Sequence, residues 1–399
     1  MHIPLLCSLL LTAPPRPLVV DTDFPGGSAE VDIDQSERLI RLVPTAYKDR
    51  GWDCWWYLRV DGVTPGETIT LDVGNAPWAT PDRAAFSIDG TSWQQTAPGE
   101  RNGKRIVYRQ RIDADSAWFA WGPPFVPADA AALIEEAARS PHAEGFVLAK
   151  TREGRDVPAL RIAEGDKPPE ERRGIWIQAR QHAWESGSSW VGKGFVEWVL
   201  SDAPEAQALR RGSLIVFVPI MDIDNVHRGA GGKNQVPQDH NRDWSDQPHW
   251  RSVEAAQQQI LDIAEAGGMD LFVDLHNPGA DAREPYFYVV PDQMLTPAGR
   301  QNQAAFLQAA RAEMTGPLPF TGRTIESGAR YDANWEAISK NWVARHAGPT
   351  VIAVTLETAW NTPHSTQTGY QQVGRELGLA IERYLQQPEA RSDPPDALR

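Results

Sequence analysis

The chain has 399 residues, with 39 Lys and Arg against 53 Asp and Glu and a formal net charge of −14 at pH 7. That acidity excludes nucleic acid as a main partner, since a phosphate backbone demands a basic footprint, and no apolar run reaches the ~20 residues of a membrane span. Hydrophobic residues at 41% and a mean hydropathy of −0.45 supply a core, and the length predicts two domains.

In chain order, the apolar stretch Ile3–Leu11 has the length of a signal-peptide core, although no Lys or Arg precedes it. Residues 1–17 are therefore read as an export signal or a disordered start, which leaves the compartment as cytoplasmic or exported. Residues 18–127 alternate apolar and polar in short runs. Val31–Asp34, Leu39–Val43, Trp55–Val60, Thr68–Val73 and Ile106–Arg109 read as strands, with turn signals such as Asp61-Gly62 and Pro65-Gly66 between them. The spacing predicts an antiparallel β-sandwich. Many of the 16 tryptophans fall here; indoles can bind sugars, and they also fill sandwich cores. The two cysteines, Cys7 and Cys54, exclude a cysteine-stapled fold and a four-cysteine zinc site.

Residues 128–144 form a connector whose first part, 128–139, is an alanine-rich helix. Beyond it, continuous apolar runs at Ile175–Ile177, Ser213–Val218, Leu271–Leu275 and Val351–Leu356 alternate with helices near 188–200, 251–266, 297–314 and 367–386. Strands without alternation are buried on both faces, which predicts an α/β domain over 145–386 with a mixed, largely parallel sheet covered by helices. The polar tail 387–399, with its double proline, is expected to be disordered.

The chemistry gathers at strand ends. Gln181-His182-Ala183-Trp184-Glu185 follows the first of these strands and offers an imidazole and a carboxylate three apart, both of which zinc accepts. Val273-Asp274-Leu275-His276-Asn277 carries a second histidine to the carboxyl edge of a buried strand, where open α/β folds place ligands. Leu356-Glu357 carries a carboxylate to the same kind of edge. Gln238-Asp239-His240-Asn241-Arg242-Asp243-Trp244 adds a guanidinium, whose planar fork suits a carboxylate. Each motif alone has a plain structural alternative as a capping, hydrogen-bonded or surface group.

The order His-x-x-Glu, Asn-Arg, His, Glu resembles the zinc metallocarboxypeptidases, the carboxypeptidase A-like family. The front segment ending Trp118-Phe119-Ala120-Trp121-Gly122-Pro123-Pro124-Phe125 resembles the β-sandwich of its cytosolic carboxypeptidase subgroup. The resemblance implies one zinc per chain on His182, Glu185 and His276, and Glu357 as general base. It implies that Asn241 and Arg242 hold the terminal carboxylate of a peptide or protein substrate, and that Asp239 orients a ligand histidine from behind. The family's oxyanion-stabilising arginine has two candidate counterparts, Arg228 and Lys233, and its site tyrosine is matched to Tyr331. Asp222-Ile223-Asp224-Asn225 stands where the family writes Asn-Pro-Asp-Gly.

The implied activity is zinc-dependent removal of C-terminal residues by activated water. The altered loop 222–236 keeps a zinc amidase or deacylase, acting on cell-wall peptides or acylated amino acids, as an alternative. A non-catalytic binding protein with a Trp-rich sandwich is a further one.

Overall fold

The computed structural model describes residues 16–74 and 80–387. Most of the signal-length stretch, nearly all of the polar tail, and Trp78 lie outside these residues.

Ten strands precede the first long helix: β1 (Val19–Asp21), β2 (Glu30–Asp34), β3 (Leu39–Val43), β4 (Tyr57–Asp61), β5 (Glu67–Val73), β6 (Ala85–Ser87), β7 (Gln94–Gln95), β8 (Glu100–Asn102), β9 (Arg105–Ile112) and β10 (Ser116–Ala120). They form two five-stranded sheets, in the orders β1-β4-β10-β6-β7 and β2-β3-β5-β9-β8. The pairing is antiparallel except between β3 and β5, which run parallel. Period-2 alternation sets the faces: Ile40 and Leu42 of β3, and Ile69, Leu71 and Val73 of β5, are buried, whereas Arg41 is exposed. Trp55, Trp56, Trp93 and Trp121 are buried, so these indoles serve as core. Cys54 is a buried free thiol.

Helix α1 (Pro127–Ala137) packs against the hairpin β11 (Ala143–Lys150) and β12 (Asp156–Ile162). The remainder runs β13 (Arg173–Ala179), α2 (Ser186–Val199), α3 (Pro204–Gly212), β14 (Ser213–Val218), α4 (Ile223–Arg228), α5 (Arg251–Ala266), β15 (Met269–His276), β16 (Tyr286–Val289), α6 (Pro297–Glu313), β17 (Thr324–Glu326), α7 (Ser339–His346), β18 (Ile352–Glu357) and α8 (Gln367–Leu385). The sheet order is β11-β12-β14-β13-β15-β18-β16-β17. Its centre, β14-β13-β15-β18, is parallel, and every residue of β18 is buried, as a strand covered on both faces requires.

Helices α2 and α8 pack closely enough that a Cβ on Gly374 would overlap the Val191 carbonyl, and one on Gly194 the Gln371 carbonyl. The three helices α3, α4 and α7 escape a sequence reading because they are short or weakly patterned. Among the described residues no helix is long and apolar enough to cross a membrane.

The two halves are joined through backbone. Trp52 N donates to Lys233 O (2.9 Å), Gly232 N to Arg50 O (2.8 Å) and Val236 N to Asp49 O (2.9 Å).

Candidate active site

Parallel strands end together at one edge of the sheet, and three neighbours there each deliver a site group. The chain leaves β13 into a turn in which Glu185 N meets His182 O, and Glu185 sits at the start of α2. His276 is the last residue of β15 and Glu357 the last of β18, and the two are register partners.

This brings His182, Glu185 and His276 together, all buried, with one potential ligand atom from each lying within 4.8 Å of the others. His182 Nδ1 lies 2.8 Å from Glu185 Oε1, and His276 Nδ1 lies 2.8 Å from Glu185 Oε2. The far nitrogens are held by carboxylates: His182 Nε2 by Asp239 (3.2 Å) and His276 Nε2 by Asp274 (2.9 Å). Such partners set the tautomer and aim the other ring nitrogen at a metal. Burial alone would raise Glu185, but the two imidazoles outweigh it and hold the carboxyl down to about 2. Burial alone would lower His276, but Asp274 and Glu185 on either side push it well above its usual value. Asp239 is held well below the usual carboxylate range, since His182 and Lys233 outweigh its burial.

Two imidazoles and a carboxylate are the donor composition of a catalytic zinc site. Their convergence on one point, with the rings oriented from behind, fits that ion. A further sign is Glu357 Oε2, buried without a hydrogen-bond partner among the described residues. Burial is the main cause that pushes the Glu357 carboxyl up to about 8.

Around these groups lies a cavity of about 170 Å³. His182, Glu185, His276, Glu357, Asn241, Arg242, Lys233 and Tyr331 all line it. Asp239 stands behind His182. Arg228 is not among the lining residues: its partly exposed guanidinium pairs with Glu153 at 2.9 Å. Of the two cations read from the sequence for the oxyanion, only Lys233 is at the cavity. Arg242 is anchored through Nε to Asp332 (2.7 Å) and through Nη1 to the Asn241 carbonyl (2.9 Å), and its guanidinium carbon lies 5.8 Å from the Tyr331 ring centre.

Sequence reasoning missed four features of the site. Asp274 accepts from His276, from Ser339 Oγ (2.7 Å) and from Gln181 Nε2 (2.5 Å); an aspartate two before His276 in an apolar strand, hence on the same face, is the signal that marks it. Tyr286 and Tyr288 of β16 line the cavity beside Glu357, and Tyr286 is the register partner of Glu357. Lys340, in the first turn of α7, is fully buried and lines the cavity. It donates to Ser327 Oγ and to Asn341 Oδ1 (3.0 Å). Burial, with Arg242 adding to it, lowers its pKa well below the usual lysine value. Trp52 reaches the cavity from the front sheets, and no local pattern could announce that.

The sequence profile of the zinc carboxypeptidase family matches residues 131–367. An uncharacterized protein of Zymomonas mobilis is 28% identical over 273 residues, covering 66% of this chain and 68% of that protein. Cytosolic carboxypeptidase 2 of Mus musculus is 29% identical over 148 residues, which is 35% of this chain but 16% of the mouse protein. Among solved structures, a metallo-carboxypeptidase from Burkholderia cenocepacia matches with a TM-score of 0.78 at 22% identity, over 92% of this chain and 99% of its own. A metallo-carboxypeptidase from Pseudomonas aeruginosa, in complex with (2-guanidinoethylmercapto)succinic acid, matches with a TM-score of 0.76 at 22% identity, over 94% of this chain and 100% of its own. At that identity the two structures establish a shared two-domain fold. The family profile spans more than half of the sequence, and the chain belongs to the zinc carboxypeptidase family: it is a zinc-dependent metallopeptidase that acts on peptides.

Proposed function

We propose that the enzyme removes the C-terminal residue of a peptide and prefers an acidic residue there. One observation carries the reading: Arg242, Asn241 and Lys340 line the same cavity as the metal donors and Glu357. Groups able to hold a free carboxylate thus stand beside those able to hydrolyse the preceding bond.

When held by His182, Glu185 and His276, zinc supplies Lewis acidity, acidifying water toward a pKa of about 7 and drawing charge from a carbonyl oxygen. The protein's own groups do the rest. Asp332 and the Asn241 carbonyl hold the Arg242 guanidinium in place, so it meets the terminal carboxylate already oriented. Glu357 takes the proton of the attacking water on Oε2 and passes it to the leaving amine, serving in turn as general base and general acid. Lys233 Nζ lies 3.4 Å from His182 Nε2 and 3.8 Å from Asp239 Oδ2. From there its charge stabilises the oxyanion that develops at the scissile carbonyl. Tyr331, 42% exposed, stands at the mouth beside Arg242.

Lys340 extends the reading to the side chain of the departing residue. Lys340 is fully buried, and the groups it donates to, Ser327 Oγ and Asn341 Oδ1, are neutral oxygens. A substrate Glu or Asp would supply an anionic partner and favour the ammonium form that burial disfavours, whereas a substrate Lys or Arg would leave the amine without one.

The test is kcat/KM on peptides with free and amidated termini, using wild type and Arg242→Lys. Each change alone should reduce the rate, and the two together should be non-additive because they break one contact. Peptides ending in Glu should outrun those ending in Leu, and Lys340→Gln should erase about tenfold or more of that advantage. Equal rates on free and amidated peptide would replace this reading with the amidase or deacylase one.

A further inference from the structure

The substrate cavity is not built by the catalytic sheet alone. Residues 49–52, between strands of the front sheets, lie along the loop that carries Lys233, joined to it by the three backbone hydrogen bonds from Trp52, Gly232 and Val236. The approach is close: a Cβ on Gly231 would overlap the Trp52 carbonyl, and one on Gly51, where φ is +88°, the Lys233 carbonyl. Arg50 locks the loop from outside, through Glu153 Oε1 at 2.7 Å and Asn225 Oδ1 at 3.4 Å. What this arrangement delivers to the cavity is one side chain, Trp52, half-buried on its wall. Its ring centre lies 5.8 Å from Lys233 Nζ.

We infer that Trp52 is a specificity-determining residue that contacts the substrate on the N-terminal side of the scissile bond, where it favours an aromatic side chain. The inference rests on the carboxypeptidase reading above. In that reading the terminal residue is taken by Arg242, Asn241 and Lys340, whereas the indole of Trp52 stands on the wall beside Lys233. The group beside Trp52 is Lys233, the cation that the same reading assigns to the oxyanion of the scissile carbonyl. The residue preceding that carbonyl must leave the cavity past the Lys233 wall, and the indole there offers it a large flat apolar surface beside a cation. An aromatic side chain gains most from such a surface, by area and by ring packing.

The experiment measures binding, so that turnover does not enter. Glu357→Gln protein, loaded with zinc, is titrated with three peptides: acetyl-Gly-Phe-Glu, acetyl-Gly-Gly-Glu, and the first of these amidated. The Phe peptide should bind about tenfold tighter than the Gly peptide. In Trp52→Ala on the same background that ratio should fall to about one, with the Gly peptide little affected, and Trp52→Phe should restore most of it. A ratio unchanged in Trp52→Ala, or an equal loss for both peptides, would overturn the inference, the second outcome marking a structural role. The amidated peptide reports separately: if it binds as tightly as the free acid, the carboxylate grip fails while the Phe-to-Gly ratio still judges Trp52.

Discussion

His276 and Glu357 are neighbours across β15 and β18, yet only a substitution at the first should change metal content. His276→Ala removes a donor, and a site left with two cannot hold zinc as a three-ligand site does. Zinc measured by elemental analysis should fall from about one per chain to near zero, while the sandwich keeps its near-ultraviolet tryptophan signal. Glu357→Gln should keep its zinc and lose about 10²–10⁴ in kcat, the usual contribution of a general acid–base group. Zinc retained in the first variant, or wild-type turnover in the second, would move these roles elsewhere. Asp274→Asn tests the support behind His276. It leaves every donor in place but weakens the hold on the ring, and zinc affinity should drop about 10- to 100-fold.

At the scale of elements, the site depends on α2 starting where it does, because Glu185 leads into that helix. Helix α2 is held against α8 by contact at Gly194 and Gly374, where backbone meets backbone. Gly374→Val should force the helices apart and cost about 1–3 kcal/mol as overpacking, read as a lowered urea midpoint. Elements also explain what a sequence reader can see. The strands that end in His276 and Glu357 announce themselves, since an uninterrupted apolar run broken by a polar residue has few other meanings. Lys340 does not: a lysine in the short helix α7 (Ser339–His346) reads as solvated surface, and only the packing of that helix beneath the cavity buries it. The choice between Arg228 and Lys233 was hidden for a related reason. Both lie near one glycine-rich loop, and the loop's course is set by residues 49–52, far away in the chain.

For the molecule as a whole, the join between front sheets and catalytic sheet has a charged side and a neutral side. On the charged side, Arg50 from the front half and Arg155 and Arg228 from the rear converge on Glu153, at 2.7, 2.8 and 2.9 Å. Burial alone would raise the Glu153 carboxyl, but the three guanidiniums hold it down to about 2, below its ordinary 4.5. A depressed carboxylate stabilises the fold fully above its unfolded pKa, and that contribution is lost as pH falls toward the folded value. Wild type should therefore be more stable than Glu153→Gln above about pH 4.5. Thermal midpoints of the two should converge as pH drops from there toward about 2, with added salt narrowing the gap because the cluster is partly solvated. A constant difference across that range would remove the cluster from the join. On the neutral side stand the three backbone hydrogen bonds of Trp52, Gly232 and Val236. Main-chain groups are common to nearly all residue types, so most substitutions leave those bonds intact. The join therefore tolerates drift in side-chain identity, given a glycine at 51 and 231, but not a change in length. One residue inserted between Asp49 and Trp52 would slide the pairing and carry the indole out of the cavity, so a front half grafted from another chain must match this stretch by residue count before it matches by residue type.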